Sequence, residues 1–246
     1  MCRHLAVLGP PSPIGESVLA PRYSLLRQSW APRLQRHGTV NADGFGVGWY
    51  APGDPLPARY RRAGPIWADE SLADLARVVR TPALLAAVRD ATAPGGDGEA
   101  AAAPFAEDRW LFSHNGALTG WPESAGALAA TLPPGALLRL EARCDSAFVW
   151  ALVCHRLLAG APPGRALAES VRALDRAAPG SRLNLLLTDG SAITATAWGD
   201  TLWYLAAPPE RVVVASEPYD DDPGWTEVPD HTLLTADRGG VALHGL

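Results

Sequence analysis

The chain has 246 residues, 48% of them hydrophobic and 19% charged, with a formal net charge of −5. That is globular composition, and it excludes disordered, collagen-like and coiled-coil classes. All 21 basic residues are arginine; they are scattered singly, with no basic tract to follow a phosphate backbone, so nucleic acid is not an expected partner.

No window approaches the roughly 18 uninterrupted apolar residues of a membrane span, and no basic-then-apolar leader opens the chain. A soluble, cytoplasmic protein without membrane contact is expected. The length fits one domain, residues 2–246. Three cysteines, Cys2, Cys144 and Cys154, form an odd set without CxxC spacing, which fits neither a disulfide framework nor a zinc ribbon. The six histidines show no ligand spacing, so no metal is expected.

In chain order, CRHLAVL at 2–8 predicts a buried strand stopped by Gly9-Pro10-Pro11. Residues 22–40 carry RYSLLRQSWAPR and a glycine-terminated loop, and Asn41-Ala42-Asp43-Gly44 reads as a turn into FGVGWY, a strand whose glycines imply close backbone approach. Leu72, Leu75, Val78 and Val79 follow helical spacing up to Pro82, and Ala83–Val88 predicts a strand ending at Arg89. Residues 93–104 have the composition of a mobile loop. Trp110-Leu111-Phe112 predicts a short strand that delivers a turn-like Ser113-His114-Asn115-Gly116. Asp145-Ser146 caps a helix over AFVWALVCHRLL, and a second helix is expected over Arg165–Ala177. Leu183–Leu187, Ala192–Trp198, Leu202–Leu205 and Val212–Ala215 predict successive strands of a meander. Strands, then helices, then strands favour an α+β layered domain over a parallel βαβ array.

Cys2 is the first candidate for chemistry. Trimming of Met1 before a small side chain would make it the first residue. Its free α-amine, with a pKa of roughly 7.7 to 8.0, could then take the thiol proton directly or through one water. Position alone is equally consistent with a fraying terminal cysteine. Gly44–Gly48 makes half a dinucleotide fingerprint, but Trp49 stands where the third glycine belongs. No GxSxG elbow, P-loop or HExxH motif occurs. Taken singly, Asn115-Gly116 reads as a hairpin turn, Asp145 as a helix cap and Arg89 as a solvated strand-end charge.

Read together, Cys2, NADGFGVGWY at 41–50, AVRDAT at 87–92, WLFSHNG at 110–116 and CDSAF at 144–148 resemble the class II glutamine amidotransferases. MCRHLAVLGPP, LLRQSWAPR at 25–33 and ASEPYDDDPGWTEVPD at 215–230 look more narrowly like the stand-alone γ-glutamyl hydrolases of ergothioneine biosynthesis. The resemblance implies an N-terminal nucleophile fold, an αββα sandwich of two mainly antiparallel sheets between helix layers. It implies Cys2 as nucleophile, Asn115 and Gly116 as oxyanion hole, Arg89 and Thr92 on the substrate α-carboxylate, and Asp145 on the α-ammonium. No cofactor is implied, and the partner is a small-molecule γ-glutamyl substrate. Its leaving amine would be a cysteine sulfoxide bearing a trimethylated histidine betaine, a cation suited to a tryptophan face, with Trp30 and Trp49 as candidates. A glutaminase feeding ammonia to a separate synthase and a non-catalytic γ-glutamyl-binding module are the alternatives. Ala87 and Asp90 depart from the histidine and alanine many relatives have there, and Asp90 points away from Arg89 if the segment is a strand.

Overall fold

The computed structural model describes residues 2–91 and 98–246. Thr92 and residues 93–97 of the loop expected over 93–104 lie outside the described residues, and Gly98–Ala101 form a 3₁₀ turn. Strand β1 (Cys2–Pro13) is followed by short helices α1 (Gly15–Val18) and α2 (Leu25–Gln28), strands β2 (Phe45–Trp49) and β3 (Ala58–Arg62), helix α3 (Glu70–Val78) and strand β4 (Arg80–Arg89). Strands β5 (Phe105–Glu107) and β6 (Trp110–Ala117) lead into helices α4 (Gly126–Ala129), α5 (Pro134–Leu138), α6 (Asp145–Leu158) and α7 (Pro163–Ala177). The last third holds β7 (Arg182–Thr188), β8 (Ile193–Ala197), β9 (Trp203–Ala207), β10 (Arg211–Ala215), β11 (Thr226–Glu227), β12 (Thr232–Asp237) and β13 (Gly240–Gly245).

These strands form two sheets, ordered β11-β9-β10-β1-β4-β2-β3 and β13-β12-β8-β7-β6-β5, with antiparallel pairing throughout the described ladders. Side chains alternate between faces along each strand, and the two periodic sets on β1 go to different cores. Leu5 and Val7 join Val18, Leu25, Leu72 and Ala76 beneath α1–α3, whereas Ala6 and Leu8 meet Leu111, Leu186 and Ile193 between the sheets. The outer face of the second sheet is sealed by Phe148, Leu152, Leu167 and Val171 of α6 and α7. The result is a helix–sheet–sheet–helix sandwich of α+β class.

Three local expectations are corrected. Gly9-Pro10-Pro11 does not end β1; the pairing with β4 shifts register between Leu8 and Ser12 and resumes, as a bulge allows where proline cannot donate. The C-terminal strands are not one meander, because the chain leaves the second sheet after β8 and enters the first at β9. Ser113–Gly116 is not a turn but the continuation of β6, paired residue by residue with β7 from Leu186 to Leu183. Turn propensity is overridden there because the polar side chains find specific partners.

Candidate active site

Strand parity decides which side chains meet. On β1 the even positions face the second sheet, so Cys2 and His4 look into the space between the layers. On β4 the odd positions Ala83 and Leu85 face that space, which puts Arg89 on the same face as Cys2, its partner in the β1–β4 register. Asp90 is the next residue along, just past the strand, and its carboxylate lies against Gly38. On β6, Leu111 faces inward, and Ser113 and Asn115 follow it at a period of two. Five polar or reactive residues from three strands, Cys2, His4, Arg89, Ser113 and Asn115, thus converge at one end of the interlayer.

The contacts bear this out. The Cys2 N–H donates to Asn115 Oδ1 at 3.2 Å, so Asn115 faces the atom that is the α-amine once Met1 is absent. The Asn115 side chain is wholly buried and its Nδ2 has no hydrogen-bond partner among the described residues. A buried orphan donor costs about 1–3 kcal/mol, and such an atom beside a thiol is a donor held in reserve. Leu183 and Leu185 turn their N–H groups to β8, onto Trp198 O and Thr196 Oγ1 at 2.9 and 3.0 Å. Gly116, opposite Leu183, is therefore a non-hydrogen-bonded position of the β6–β7 ladder, and its N–H points away from β7. The β5 register ends at Phe112, so that N–H faces the sheet edge beyond β5. A Cβ on Gly116 would run into the Arg182 carbonyl, so only glycine fits there.

Asp145 enters from the first turn of α6, with the residue 6% exposed. Its Oδ2 accepts the Leu118 N–H at 3.0 Å and its Oδ1 the Ser146 N–H at 2.8 Å. These bonds fix the carboxylate without neutralising it, and neither Asp145 nor Arg89 has an ion-pair partner among the described residues. The helix cap is Cys144, so the capping expected of Asp145 is one residue off, though Asp145 still sits where the helix N-terminus favours a carboxylate.

Behind these groups lies a polar network. His4 Nδ1 is 3.1 Å from Ser113 Oγ, and His114 bridges Ser146 Oγ at 3.0 Å and the Arg182 carbonyl at 2.9 Å. Accepting from His114, that carbonyl requires a proton on Nε2. Burial pushes His4 down to about 3, leaving it neutral. Burial raises the Cys2 thiol; the positive amino terminus, Arg89 and a hydrogen bond from the Asp90 N–H pull it back, and Asp145 adds to the rise. The thiol therefore needs a base.

The two tryptophans are not brought to this cluster. Trp49 packs with Phe45 and Val47 on the helix-facing side of the first sheet, the face opposite Cys2. It pairs with Leu84, five residues along β4 from Arg89, about 17 Å away. Trp30 sets its ring at 89° to Trp67 with centroids 5.6 Å apart, and the Arg27 guanidinium lies 5.5 Å from its centroid. Alternation in FGVGWY carried the Trp49 result, since Phe45, Val47 and Trp49 must share a face. The residues sequence reasoning passed over are His4, Ser113, His114 and Ser146; only the period of two through Leu111, Ser113 and Asn115 signalled any of them.

Two facing antiparallel sheets between helix layers, with Cys2 on the first strand, make the fold of the N-terminal nucleophile hydrolases. Residues 23–212 match the sequence profile of the class-II glutamine amidotransferases, and the chain belongs to that family. It is 43% identical over 234 residues, 95% of each chain, to the γ-glutamyl-hercynylcysteine sulfoxide hydrolase of Mycolicibacterium smegmatis. To the hydrolase of the same name from Mycobacterium tuberculosis it is 41% identical, over 100% of this chain and 97% of that one. A class-II glutamine aminotransferase domain protein from Silicibacter pomeroyi superposes with a TM-score of 0.72 at 25% identity, covering 99% of both chains. Bacillus subtilis glutamine phosphoribosylpyrophosphate amidotransferase shares the fold, with a TM-score of 0.67 over 99% of this chain and 49% of that one.

Proposed function

We propose that the protein is an amidohydrolase that cleaves the γ-glutamyl amide of γ-glutamyl-hercynylcysteine sulfoxide, releasing glutamate and hercynylcysteine sulfoxide. The Cys2–Asn115 juxtaposition carries the chemistry, and identity above 40% along the whole chain to hydrolases so named supports the substrate. Residues 2–246 act as one catalytic domain after loss of Met1, in the cytoplasm; no described helix is long and apolar enough to cross a membrane.

In the proposed reaction the Cys2 amine takes the thiol proton as sulfur attacks the γ-carbonyl. Asn115 Nδ2 and the Gly116 N–H hold the oxyanion, each such donor being worth about 10²- to 10³-fold in rate. The ammonium then protonates the leaving nitrogen, the C–N bond breaks, and a γ-glutamyl thioester remains. Water attacks it with the amine as base, glutamate departs and the thiol is restored. Arg89 grips the α-carboxylate as a fork, a role the Thr92 hydroxyl is proposed to share, and Asp145 pairs with the α-ammonium. An α-linked glutamyl residue, which lacks that free head, is rejected.

The test is glutamate release by Met1-free protein from γ-glutamyl-hercynylcysteine sulfoxide, γ-glutamylcysteine and glutamine, with Cys2→Ala as control. Rapid release from the first alone, abolished by the substitution, is expected. Preferred turnover of glutamine would move the protein to the ammonia-supplying amidotransferases, and turnover of none would make it a binding module.

A further inference from the structure

We propose that Asp43 is the positioning residue for Arg89, and that the segment 33–43 is a strap that carries it to the site. The inference deepens the reading of Arg89 as the substrate clamp and rests on it. Asp43 touches the stretch around Arg89 three times. Its N–H donates to the Arg89 carbonyl at 2.9 Å, its own carbonyl accepts from Arg89 Nη1 at 3.2 Å, and its Oδ2 accepts the Ala91 N–H at 2.8 Å. A guanidinium on a four-bond stem has many rotamers, and a carbonyl that takes one of its five donors from behind selects the one that leaves the fork for a carboxylate. The carboxylate on Ala91 fixes the chain just past the end of β4, where no ladder does so.

Asp43 is itself held. Glu217, wholly buried, accepts the N–H groups of Arg33 and Leu34 at 3.0 and 2.8 Å. The buried Arg3 donates from Nε to Gln35 Oε1 at 3.2 Å. Asn41 donates its N–H to Ser29 O at 2.6 Å and its Nδ2 to Gln28 O and Gln35 Oε1 at 3.1 and 3.0 Å. Between these anchors Gly38, at φ +68°, a backbone conformation that favours glycine, lies against the Asp90 carboxylate. The strap crosses the ends of β10, β1 and β4, neighbours in the sheet, and delivers Asp43 beside Cys2's partner residue. The Asn41–Gly44 turn of the sequence is thus the anchored end of a brace.

The decisive experiment measures the Kd of L-glutamate by calorimetry for Asp43→Ala and Asp43→Asn, each alone and combined with Arg89→Ala. KM and kcat on the best γ-glutamyl substrate, the rate of Cys2 alkylation by iodoacetamide and the Tm are measured beside it. Asp43→Ser replaces the alanine variant if that does not fold. Loss of the side-chain bond is expected to weaken glutamate binding and raise KM about 5- to 10-fold, the scale of one hydrogen bond. Alkylation and kcat should stay within about twofold of wild type. Asparagine, which keeps an acceptor for Ala91, should restore most of the loss, and in the Arg89→Ala background Asp43→Ala should add nothing. Unchanged binding, an equal loss in both backgrounds, or a parallel fall in alkylation would overturn the proposal. Wild-type protein that binds no glutamate would overturn it with the clamp itself, whereas tight glutamate binding without hercynyl turnover would sink only the substrate assignment.

Discussion

The space between the two sheets has two ends made of the same strands and opposite chemistry. Along β1, β4 and β6 the inward positions read Leu8, Ala6, His4, Cys2; Ala83, Leu85, Ala87, Arg89; and Leu111, Ser113, Asn115. One end is a dry core of Ala6, Leu8, Leu85 and Leu111 with Leu186 and Ile193. At the other, the steps along β1 and β6 bring polar groups hydrogen-bonded in pairs, and β4 ends on Arg89. The same period-two alternation builds both, so the dry end fixes the register that the wet end needs. A one-residue slip of β1, β4 or β6 would turn that strand's contribution, Cys2, Arg89 or Asn115, out of the site.

Substitutions that act on one end and spare the other sharpen that contrast. Cys2→Ala has the largest effect: glutamate release should fall by about 10⁴-fold or more while the Tm is maintained. Asn115→Ala comes next, lowering kcat about 10²- to 10³-fold; because its Nδ2 has no hydrogen-bond partner among the described residues and its Oδ1 takes only the Cys2 N–H, thermal melts should show a smaller loss than for a core leucine. Leu111→Ala is the mirror image. It should cost about 2–5 kcal/mol of stability in denaturant titration, with kcat per folded molecule kept. Gly116→Ala belongs to both ends, since its Cβ meets the Arg182 carbonyl; overpacking of about 1–3 kcal/mol should accompany loss of turnover.

Acid titration gives a smaller signal. His4 is depressed from 6.5 to about 3 in the folded protein, so between those values the unfolded chain binds a proton that the native state refuses. Stability must therefore decline as pH falls from about 6.5 towards 3, and His4→Gln should flatten that part of a Tm-against-pH curve. Smallest of all, Trp49→Phe should leave discrimination between hercynyl and simpler γ-glutamyl substrates unchanged, because its ring lies on the far face of the sheet.

What the sequence made legible was local or carried by residue order. The helices at 145–158 and 163–177 announce themselves by periodicity, and β1, β4 and β7 by apolar runs. Strand parity puts Arg89 on the face of Cys2, while Asp90 lies just past the end of the strand. Asn115-Gly116 was misread as a turn because its strand partners, Asn184 and Leu183, lie in a remote part of the chain, beyond the reach of any local signal. The crossing from β8 to β9 between sheets is silent for the same reason, and so is Asp43, whose NADG context is ordinary turn chemistry until its partners at Arg89 and Ala91 are seen. Trp30 drew attention by residue type, yet Arg27 and Trp67 already occupy its ring.

The central claim is that the thiol of Cys2, as first residue, carries the glutamyl group. Rapid quenching in acid during turnover, followed by mass spectrometry of the N-terminal peptide, tests it most directly. The account predicts a peptide that begins at Cys2 and carries one γ-glutamyl group, absent in Cys2→Ala. Turnover by protein that retains Met1, or a glutamyl group on any other residue, would contradict it.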